Sequence, residues 1–483
     1  MVMNALEDKA KSKLIEGENG VRSRIVKTAG KDVEILSLDG MVNDQFVAEY
    51  VIESVIKASN KKLESAKDIY DNVVFGVGAE INNTFIKMQE NFFNGYTLVF
   101  CGDENSCVAV DTRTLIGRDI VQPPTSNITK GPREGFVESI KQNIGLIRKR
   151  LKCPDFKIEN LTVGRYTNTA ISVCYIRGVA AKSTVDIILQ KISSIDIDGI
   201  LDASYVSRFL DESGSVMFKM VGTTEKPDIV AARLLEGRVA VVVNGSPIVL
   251  TLPYMLVEDL QSPEDYYEVP SVATMARILR VISMIGSLLL PALYVSLQMY
   301  NYHIIPAKFL VTIINASEPI PFTPFSEMVI VLVLFDILRE ANARMPSIVG
   351  LSLSIIGAVI LGDAAVKAGL LAAPAVMIGA LSSIGLYTLP DNTLLLTLLR
   401  LLLAFVGGIM GILGIILSML LLLSYMVSIE AYGTPYMAPF APNIIADRKD
   451  AVAKKGITKH KTRPLAIKQE NLTRQGGAEQ EEE

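Results

Sequence analysis

The chain has 483 residues, of which 50% are hydrophobic and 20% are charged, and its formal net charge is −4. The charge is unevenly distributed, because residues 281–430 contain 12 charged residues in 150 (8%), whereas residues 1–280 contain 70 in 280 (25%). A purely soluble protein and a protein embedded in lipid from end to end are both excluded. No large basic region is present, so nucleic acid is not an expected partner.

The first 270 residues are predicted to form an α/β region of two subdomains. Residues 1–30 are predicted to be a flexible or helical polar lead. No basic segment followed by an apolar one occurs there, so no cleaved signal peptide is expected. Pro123 and Pro124 begin a proline-rich connection, which predicts a boundary between subdomain 1 (31–127) and subdomain 2 (128–270).

Short apolar runs and periodic stretches predict the elements of both subdomains. In subdomain 1, Thr97–Cys101 and Ser106–Asp111 flank a polar turn and predict a β-hairpin. In subdomain 2, Gly135–Lys152 is a predicted amphipathic helix, and strands then alternate with helical stretches near 182–193 and 228–236. The predicted single strands are Val33–Leu38, Lys157–Val163, Thr169–Ile176 and Val239–Val243.

All four cysteines (Cys101, Cys107, Cys153 and Cys174) lie in this α/β region, and none belongs to a C-x-x-C motif. Reduced thiols are the expected state, with a redox or metal pair formed by Cys101 and Cys107 as the alternative. The chain has only two histidines, His303 and His460, and it carries no hydrolase, zinc-protease, kinase or phosphate-loop signature. We therefore expect a protein that is not an enzyme and that needs no cofactor or metal.

Residues 271–430 are predicted to form an all-α transmembrane bundle. Four uncharged or nearly uncharged stretches are long enough to cross a bilayer, at about 281–300, 347–366, 370–390 and 401–429. Residues 306–346 contain shorter apolar runs separated by prolines, which favour broken or re-entrant helices. Six spans is the alternative, if 326–345 crosses and 393–429 splits in two. An even number of spans returns the polar tail, 431–483, to the cytosolic side, and its basic residues fit that orientation.

Five charged residues lie in one 18-residue stretch of the apolar half. On a helix, Asp336, Glu340 and Arg344 share one i, i+4 stripe, and Arg339 follows Asp336 by three residues. A charge at membrane depth costs roughly 2.5–3.5 kcal/mol, so such residues usually face a bundle interior or a wet cavity. We predict that they line a pore or gate; the alternative is an interfacial amphipathic helix with solvated charges. The five residues are Glu327, Asp336, Arg339, Glu340 and Arg344.

Three further features of the apolar half are predicted from spacing. Asp363 and Lys367 form a second i, i+4 pair, which is either a gating element or an interfacial ion pair. Arg400 is expected to extend to the membrane surface or to mark a helix break. Four glycines in the last span indicate close helix packing, with a gating hinge as the alternative. They are Gly407, Gly408, Gly411 and Gly414.

Six stretches together resemble the spore germination GerA family, of the A-subunit type, which includes SpoVAF-like proteins. The resemblance covers roughly residues 30–450. The chain departs from the family pattern in the loop Gln122–Ser126, and it has Asp336 where the family often has Glu. The stretches are Gly131–Glu138 (GPREGFVE), Gly237–Val241 (GRVAV), Ser262–Tyr267 (SPEDYY), Ile337–Ala341 (ILREA), Gly362–Leu370 (GDAAVKAGL) and Tyr432–Tyr436 (YGTPY). The motif residues of the α/β region are Gly131, Pro132, Arg133, Glu134, Gly135, Gly237 and Arg238.

The resemblance implies a subunit of a nutrient germinant receptor in the inner membrane of a bacterial endospore, with its N-terminal domain in the cytoplasm. It also implies a homo-oligomeric ion channel that acts with a transporter-like B subunit and a lipoprotein C subunit. Three alternatives stay open. These are a SpoVAF-type protein that acts with the dipicolinate channel, a non-conducting membrane scaffold, and a secondary transporter.

Overall fold

The computed structural model describes residues 20–74, 78–101, 106–113, 130–211, 217–344, 357, 360–389 and 392–474. These residues form two compact units. The α/β unit contains the described residues of Met1–Tyr254, Ala431–Thr434 and His460–Glu483, and the helical unit contains those of Met255–Glu430 and Pro435–Lys459. The predicted proline-rich boundary at Pro123 and Pro124 lies outside the described residues.

The first sheet of the α/β unit has five antiparallel strands in the order β1-β2-β4-β5-β3. Phe100 of β4 pairs with Cys107 of β5, so the predicted hairpin is confirmed. The first strand lies inside the stretch predicted as a polar lead, and it pairs with the second from Val21–Leu38 to Val26–Val33. The strands are β1 Val21–Val26, β2 Val33–Leu38, β3 Ala79–Asn82, β4 Tyr96–Cys101 and β5 Cys107–Asp111.

Helices cover both faces of this sheet. One face packs Val99 and Cys101 against the turns around Val55 and Ile69, and the other packs Phe100 and Cys107 against the helix that carries Phe92. The helices are α1 Asp44–Phe46, α2 Glu53–Lys57, α3 Ala66–Asn72 and α4 Phe85–Phe93, and a π-helical stretch, Val47–Ile52, joins the first two.

Cys101 and Cys107 belong to the two opposite cores of this sheet. The two side chains therefore cannot pair, and the alternative of a redox or metal pair is wrong. Burial raises the pKa of the Cys107 thiol to about 12, which keeps it protonated and unreactive at neutral pH.

The second sheet has five antiparallel strands in the order β6-β7-β9-β10-β8. Its core joins the strands to helices α5 and α8, with Ile158, Leu146 and Leu234 among the buried side chains. The predicted helices near 182–193 and 228–236 are confirmed, while the helix predicted over Gly135–Lys152 is shorter. The elements are α5 Ile140–Arg148, β6 Phe156–Val163, β7 Thr169–Ile176, α6 Lys182–Ser193, α7 Ala203–Leu210, β8 Gly222–Thr224, α8 Pro227–Leu235, β9 Val239–Val243 and β10 Val249–Leu252.

Residues 460–474 of the predicted polar tail pack on the second sheet's subdomain. The N–H of Glu470 donates to the carbonyl of Val179 at 3.0 Å, and Nε of Arg463 donates to the carbonyl of Leu235 at 2.7 Å. Gly237 lies directly beneath, at φ +89°, where a Cβ atom would lie 3.1 Å from Cβ of Gln469. The glycine is therefore required both by the backbone and by the tail.

The helical unit contains six α-helices among the described residues. Two of them, α9 and α14, are long and apolar enough to cross a membrane, while α10 and α13 are shorter apolar helices. The predicted broken helices of 306–346 are two separate helices, α10 and α11, and most of the predicted span 347–366 lies outside the described residues. The bounds are α9 Pro270–Met299, α10 Ala307–Ser317, α11 Pro324–Arg344, α12 Ala365–Lys367, α13 Ala373–Leu386 and α14 Thr393–Ser428. Two strands of two residues follow, β11 Glu430–Ala431 and β12 Thr434–Pro435.

Helix α14 is broken by a sharp bend at Gly411. This residue has φ 63° and ψ −154°, and a Cβ on Gly414 would lie 3.3 Å from the carbonyl oxygen of Val406. Positions eight apart on a continuous helix are separated by about 12 Å. The stretch predicted as one span over 401–429 is therefore broken at Gly411 into two helical arms, 393–410 and 412–428. The hydroxyl of Tyr300 donates to the freed carbonyls of Gly408 and Ile409 at 2.8 and 3.0 Å.

The contact between the tail and Gly237 can be tested with a matched pair of glycines. Gly237→Ala should increase hydrogen exchange in residues 464–474, because the added methyl group displaces Gln469. Gly178→Ala is the control, since Gly178 also has positive φ (75°) but has nothing within 4 Å of an added Cβ. Both variants should lose about 1–2 kcal/mol of stability through backbone strain, so equal exchange in the two would contradict the tail contact.

Candidate functional site

A fully buried cation lies within the helical unit. Arg400, on the first arm of α14, has no exposed surface. Its Nη2 donates to Oδ1 of Asp336 at 2.7 Å, and its Nη1 donates to the hydroxyls of Ser382 and Ser383 at 3.2 and 3.1 Å. These contacts join α11, α13 and α14 around one guanidinium group. We call Asp336, Arg339 and Arg400 the buried charge cluster.

Arg339 brings a second cation to the same carboxylate. Its Nη1 lies 3.3 Å from Oδ1 of Asp336 and donates to the hydroxyl of Thr397 at 2.7 Å. The cluster therefore carries one negative and two positive formal charges. Oδ2 of Asp336 and Nε of Arg400 are buried and have no hydrogen-bond partner among the described residues. A polar network with such unmade bonds is sensitive to any rearrangement of its helices.

Small residues allow the helices around the cluster to approach closely. The hydroxyl of Ser382 donates to the carbonyl of Ser287 on α9 at 2.7 Å. A Cβ atom on Gly385 would lie 2.8 Å from the carbonyl oxygen of Ser283, and one on Gly407 would lie 2.8 Å from that of Ala292. The prediction of close packing at Gly407 is confirmed, and such contacts are typical of helices that associate in lipid.

The predicted charged stripe on α11 divides between two environments. Asp336 and Arg339 point into the unit, with 18% of each side chain exposed. Glu340 and Arg344 instead form an ion pair at 2.6 Å on the surface, with 54% and 79% of their side chains exposed. The predicted i, i+4 contact is present, but only the Asp336 end of the stripe belongs to the buried charge cluster.

The remaining predicted residues of the helical unit are separated from this cluster. Asp363 and Lys367 form an exposed ion pair at 2.6 Å, next to the π-helical stretch Ile360–Ala364. Glu327, on the first turn of α11, is 2% exposed and accepts the N–H of Ala372. The seven predicted residues are therefore distributed over a buried cluster, two exposed ion pairs and one buried carboxylate.

The prediction for Arg400 was wrong. This side chain does not extend to a surface, and the helix break lies eleven residues later, at Gly411. The sequence contained a signal for its burial, because Arg400 is the single charged residue between Asn392 and Ile429. An isolated ionisable residue in an apolar helix faces a polar partner by default, because lipid cannot solvate it.

The motif residues of the α/β unit position loops and do not converge on a pocket. Glu134 accepts Lys149 at 2.8 Å and Arg150 at 2.7 Å, which fixes the segment of Gly131, Pro132, Arg133 and Gly135 to the end of α5. Burial acts to raise the pKa of Glu134, but these two cations outweigh it and hold the pKa below its usual range.

The second motif of the α/β unit, at Gly237 and Arg238, also has a structural role. Arg238 is 4% exposed and donates through Nη1 to the carbonyl of Pro253 at 3.0 Å. Gly237, beside it, makes room for the C-terminal tail. Both residues thus shape the connection between α8 and β9.

The α/β unit also has a cavity of about 250 Å³ that none of these motif residues lines. Its walls are the turn at Asp39 and Gly40, the face of α5 with Arg148, and the strands with Asn160 and Ser172. The hydroxyl of Ser172 donates to the amide oxygen of Asn160 at 2.7 Å. Among the residues that the structure describes, no group of three or more His, Cys, Asp or Glu could hold a metal ion.

A second buried arginine anchors the far end of the helical unit. Arg277, at the start of α9, has no exposed surface. Its Nε donates to Asp265 at 2.9 Å and its Nη1 donates to the carboxylate of Asp450 at 2.9 Å. Both Nη atoms of Arg280 donate to the carboxylate of the same Asp265 at 2.8 Å. We call Asp265, Arg277, Arg280 and Asp450 the C-terminal clasp, because it ties the segment after α14 to α9.

The profile of the family described as Bacillus/Clostridium GerA spore germination protein matches residues 9–466. The chain belongs to the GerA family. Spore germination protein KA of Bacillus subtilis (strain 168) is 32% identical over 470 residues, covering 96% of this chain and 86% of that protein. Spore germination protein GerQA of Bacillus cereus is 32% identical over 410 residues, covering 84% and 82%. The N-terminal domain of the A subunit of the Bacillus megaterium spore germinant receptor GerK3 aligns with 50% of this chain and 91% of that domain, at 25% identity and a TM-score of 0.39.

Membership in the GerA family makes this chain a spore germination protein that is similar to the A subunits of germinant receptors. Two of the sequence stretches on which the resemblance rests contribute to buried ion pairs. SPEDYY provides Asp265 of the C-terminal clasp. ILREA provides Arg339 of the buried charge cluster. Each of the two buried ion-pair systems of this GerA protein thus contains one residue from a motif stretch.

The buried charge cluster predicts strong coupling between Asp336 and Arg400. Asp336→Asn should cost about 3–5 kcal/mol, because it leaves the buried Arg400 guanidinium without an anion, and Arg400→Gln should cost less, because Asp336 keeps Arg339 at 3.3 Å. The double variant should cost less than the sum of the two. Unfolding of the full chain in mixed micelles under increasing denaturing detergent measures these values. As a control, Glu340→Gln and Arg344→Gln should couple by only about 0.3–0.5 kcal/mol, because that pair is exposed. Additive costs for Asp336 and Arg400 would contradict the direct ion pair.

The C-terminal clasp predicts an acid-induced release. Burial acts to raise the pKa of Asp265, but hydrogen bonds from Arg280, the N–H of Ser262 and Arg277 outweigh it, so the folded pKa lies below the ordinary 3.8. A lowered carboxyl pKa stabilises the fold above pH 3.8, and this stabilisation is lost as the pH falls through the folded pKa. Protection of the backbone amides of residues 447–456 against hydrogen exchange should therefore fall below about pH 3.8. Asp265→Asn should give low protection at every pH. If this variant instead loses protection below pH 3.8 as the wild type does, another group causes the acid-induced release.

Proposed function

We propose that this GerA-family chain is the membrane subunit of a spore germinant receptor and that it forms or gates an oligomeric ion channel. On this proposal, nutrients sensed together with partner subunits trigger a change in the helical unit. That change lets ions pass and starts germination.

The observation that supports this proposal is the distribution of charge on α11. One side of the helix presents Asp336 and Arg339 to the buried Arg400 on the apolar helix α14. Beyond them, Glu340 and Arg344 form a pair that is exposed on the isolated chain. An exposed ion pair on an apolar helical unit needs water, headgroups or another subunit, because lipid tails cannot solvate it. A helix that only anchors a protein in lipid needs neither a buried ion pair nor an exposed one.

The proposed assembly contains several copies of this chain together with a transporter-like B subunit and a lipoprotein C subunit. The similarity of this chain to spore germination proteins KA and GerQA, which are A-subunit relatives, supports a multi-subunit complex. The proposed location is the inner membrane of the spore, with the α/β unit and the C-terminal tail in the cytoplasm. The basic residues of the tail, among them Arg448 and Lys449, agree with that side of the membrane.

Two alternatives remain within the same family. A SpoVAF-type protein would act with the dipicolinate channel, and genes for that channel beside this one would favour it, whereas genes for B and C subunits would favour the receptor. A non-conducting scaffold would bind partners through its α/β unit and use its helices only as an anchor.

Ion flux through reconstituted protein tests the channel proposal. Oligomers of the full chain, alone and with partner subunits, are reconstituted into liposomes loaded with ⁸⁶Rb⁺, and the initial rate of efflux is measured. The pair of changes Glu340→Gln and Arg344→Gln should alter that rate severalfold, because it removes charge from a helix that lines or gates the pore. The control is Glu53→Gln with Lys57→Gln, which removes an exposed i, i+4 pair of similar geometry from the α/β unit.

The outcomes separate the functions. Equal changes with both double variants would indicate a general effect of lost charge and would remove α11 from the pore. Absence of efflux from every oligomeric preparation, with and without partner subunits, would overturn the channel proposal and favour the scaffold.

A further inference from the structure

Helix α7 of the α/β unit has one buried face and one exposed face. Ala203, Val206 and Leu210 are buried. On the opposite face, Tyr205 and Phe209 lie about one turn apart and are 43% and 42% exposed. Leu201, just before the helix, is 69% exposed. Large apolar side chains that are grouped together on a surface, unlike single exposed ones, indicate an interaction surface.

The polar residues of this face are suited to a lipid surface. Arg208 is exposed and lies between Tyr205 and Phe209 in the sequence, and a guanidinium group can bind a phosphate through two parallel hydrogen bonds. Asp202, at the start of the helix, instead accepts the N–H of Ser204 at 2.8 Å. Tyrosine and arginine suit membrane interfaces, because each combines an apolar body with a polar tip. The exposed residues of α7 thus include one cation and no carboxylate.

A buried tyrosine ties the end of α7 to the segment that follows α14. The hydroxyl of Tyr432 donates to the carbonyl of Leu210 at 2.5 Å, and Nζ of Lys191 on α6 lies 4.9 Å from the centre of the Tyr432 ring. Tyr432 is 4% exposed and belongs to the α/β unit. It comes four positions after Ser428, the last residue of α14, and four residues of chain reach at most about 14 Å.

This short connection limits how far the end of α7 can be from a bilayer that α14 crosses. The first charged residue after the apolar stretch of α14 is Glu430, so the hydrocarbon of such a bilayer ends near Ser428. A domain of the size of the α/β unit is about 40 Å across. Because the connection is much shorter than the domain, the side that carries the end of α7 is the side nearest the lipid.

We propose that the exposed face of α7 binds the surface of the bilayer. Leu201, Tyr205 and Phe209 insert among the headgroups and the upper acyl chains, and the guanidinium of Arg208 binds lipid phosphate. We call these four residues the lipid-contact face. The proposal rests on the membrane crossing of α14 that the proposed function includes, but it requires no conduction of ions.

The charge of the lipid-contact face favours lipid over a second copy of the same face. Two identical faces in contact would bring two Arg208 side chains together without a carboxylate to separate them, and like charges repel. Lipid headgroups supply a phosphate for each arginine, and they lie within reach in every copy of the chain.

Fluorescence quenching by lipid tests the proposal, because the chain has no tryptophan and a single introduced one reports on one place. The full-chain variants Tyr205→Trp and Phe209→Trp are reconstituted into liposomes of phosphatidylcholine and phosphatidylglycerol, with lipids brominated near the top of the acyl chain as quencher. Both should be quenched severalfold more strongly than the control Tyr50→Trp, since Tyr50 is also exposed (56%) but lies on the first sheet's subdomain. Adding Arg208→Glu should weaken the quenching of Phe209→Trp severalfold.

A further variant separates this proposal from the proposed function. Leu420 lies on the second arm of α14 and is 59% exposed, so Leu420→Trp reports whether α14 lies in lipid. Quenching of Leu420→Trp without quenching of the two α7 variants would overturn the lipid-contact face alone. Absence of quenching in all three would overturn the membrane crossing of α14 as well. Equal quenching of Tyr50→Trp and the α7 variants, or emission from the α7 variants that is shifted to shorter wavelength but not quenched by bromine, would also overturn the proposal.

Discussion

The arrangement of the helical unit depends on one requirement: the guanidinium of Arg400 must find polar partners in surroundings that cannot solvate it. Its partners come from two other helices, a carboxylate from α11 and two serine hydroxyls from α13. Asp336 lies 64 positions earlier in the chain. Each of these helices is apolar enough that packing alone would tolerate many rotations, whereas the ion pair specifies one. Buried ionic groups stabilise little in net terms, but they penalise alternative arrangements strongly.

The same requirement is met a second time at the C-terminal clasp. Arg277 is bound by Asp265, 12 positions earlier, and by Asp450, 173 positions later. A hydrogen bond from Lys454 to the carbonyl of Asp265 adds to this contact. The segment that follows α14 is thereby held to the beginning of α9. Because each buried arginine makes contacts with two or more separate segments, a change in any one of those segments is transmitted to the others.

Glu327 differs from these two systems because no described side chain of opposite charge reaches it. The buried charge cluster has two cations for one anion, whereas the carboxylate of Glu327 accepts only the N–H of Ala372, just before α13. Neither arrangement is balanced by itself. Imbalance of this kind is unusual for a passive anchor, since each unpaired charge costs free energy that a stable core would avoid.

The amino-acid sequence alone determined the division into an α/β region and an apolar region, the hairpin of β4 and β5, the helix of α11 and the family. These features depend on local periodicity, turn composition and short motifs, which are readable along the chain. Tertiary structure alone decided that Arg400 is buried, that α14 is broken at Gly411 and that Asp336 is buried while Glu340 is exposed. These outcomes depend on contacts between residues up to 109 positions apart, and a periodic pattern contains no information about which distant side chain will be the partner. A lone arginine signals that a partner exists; only the packed helices identify it as Asp336.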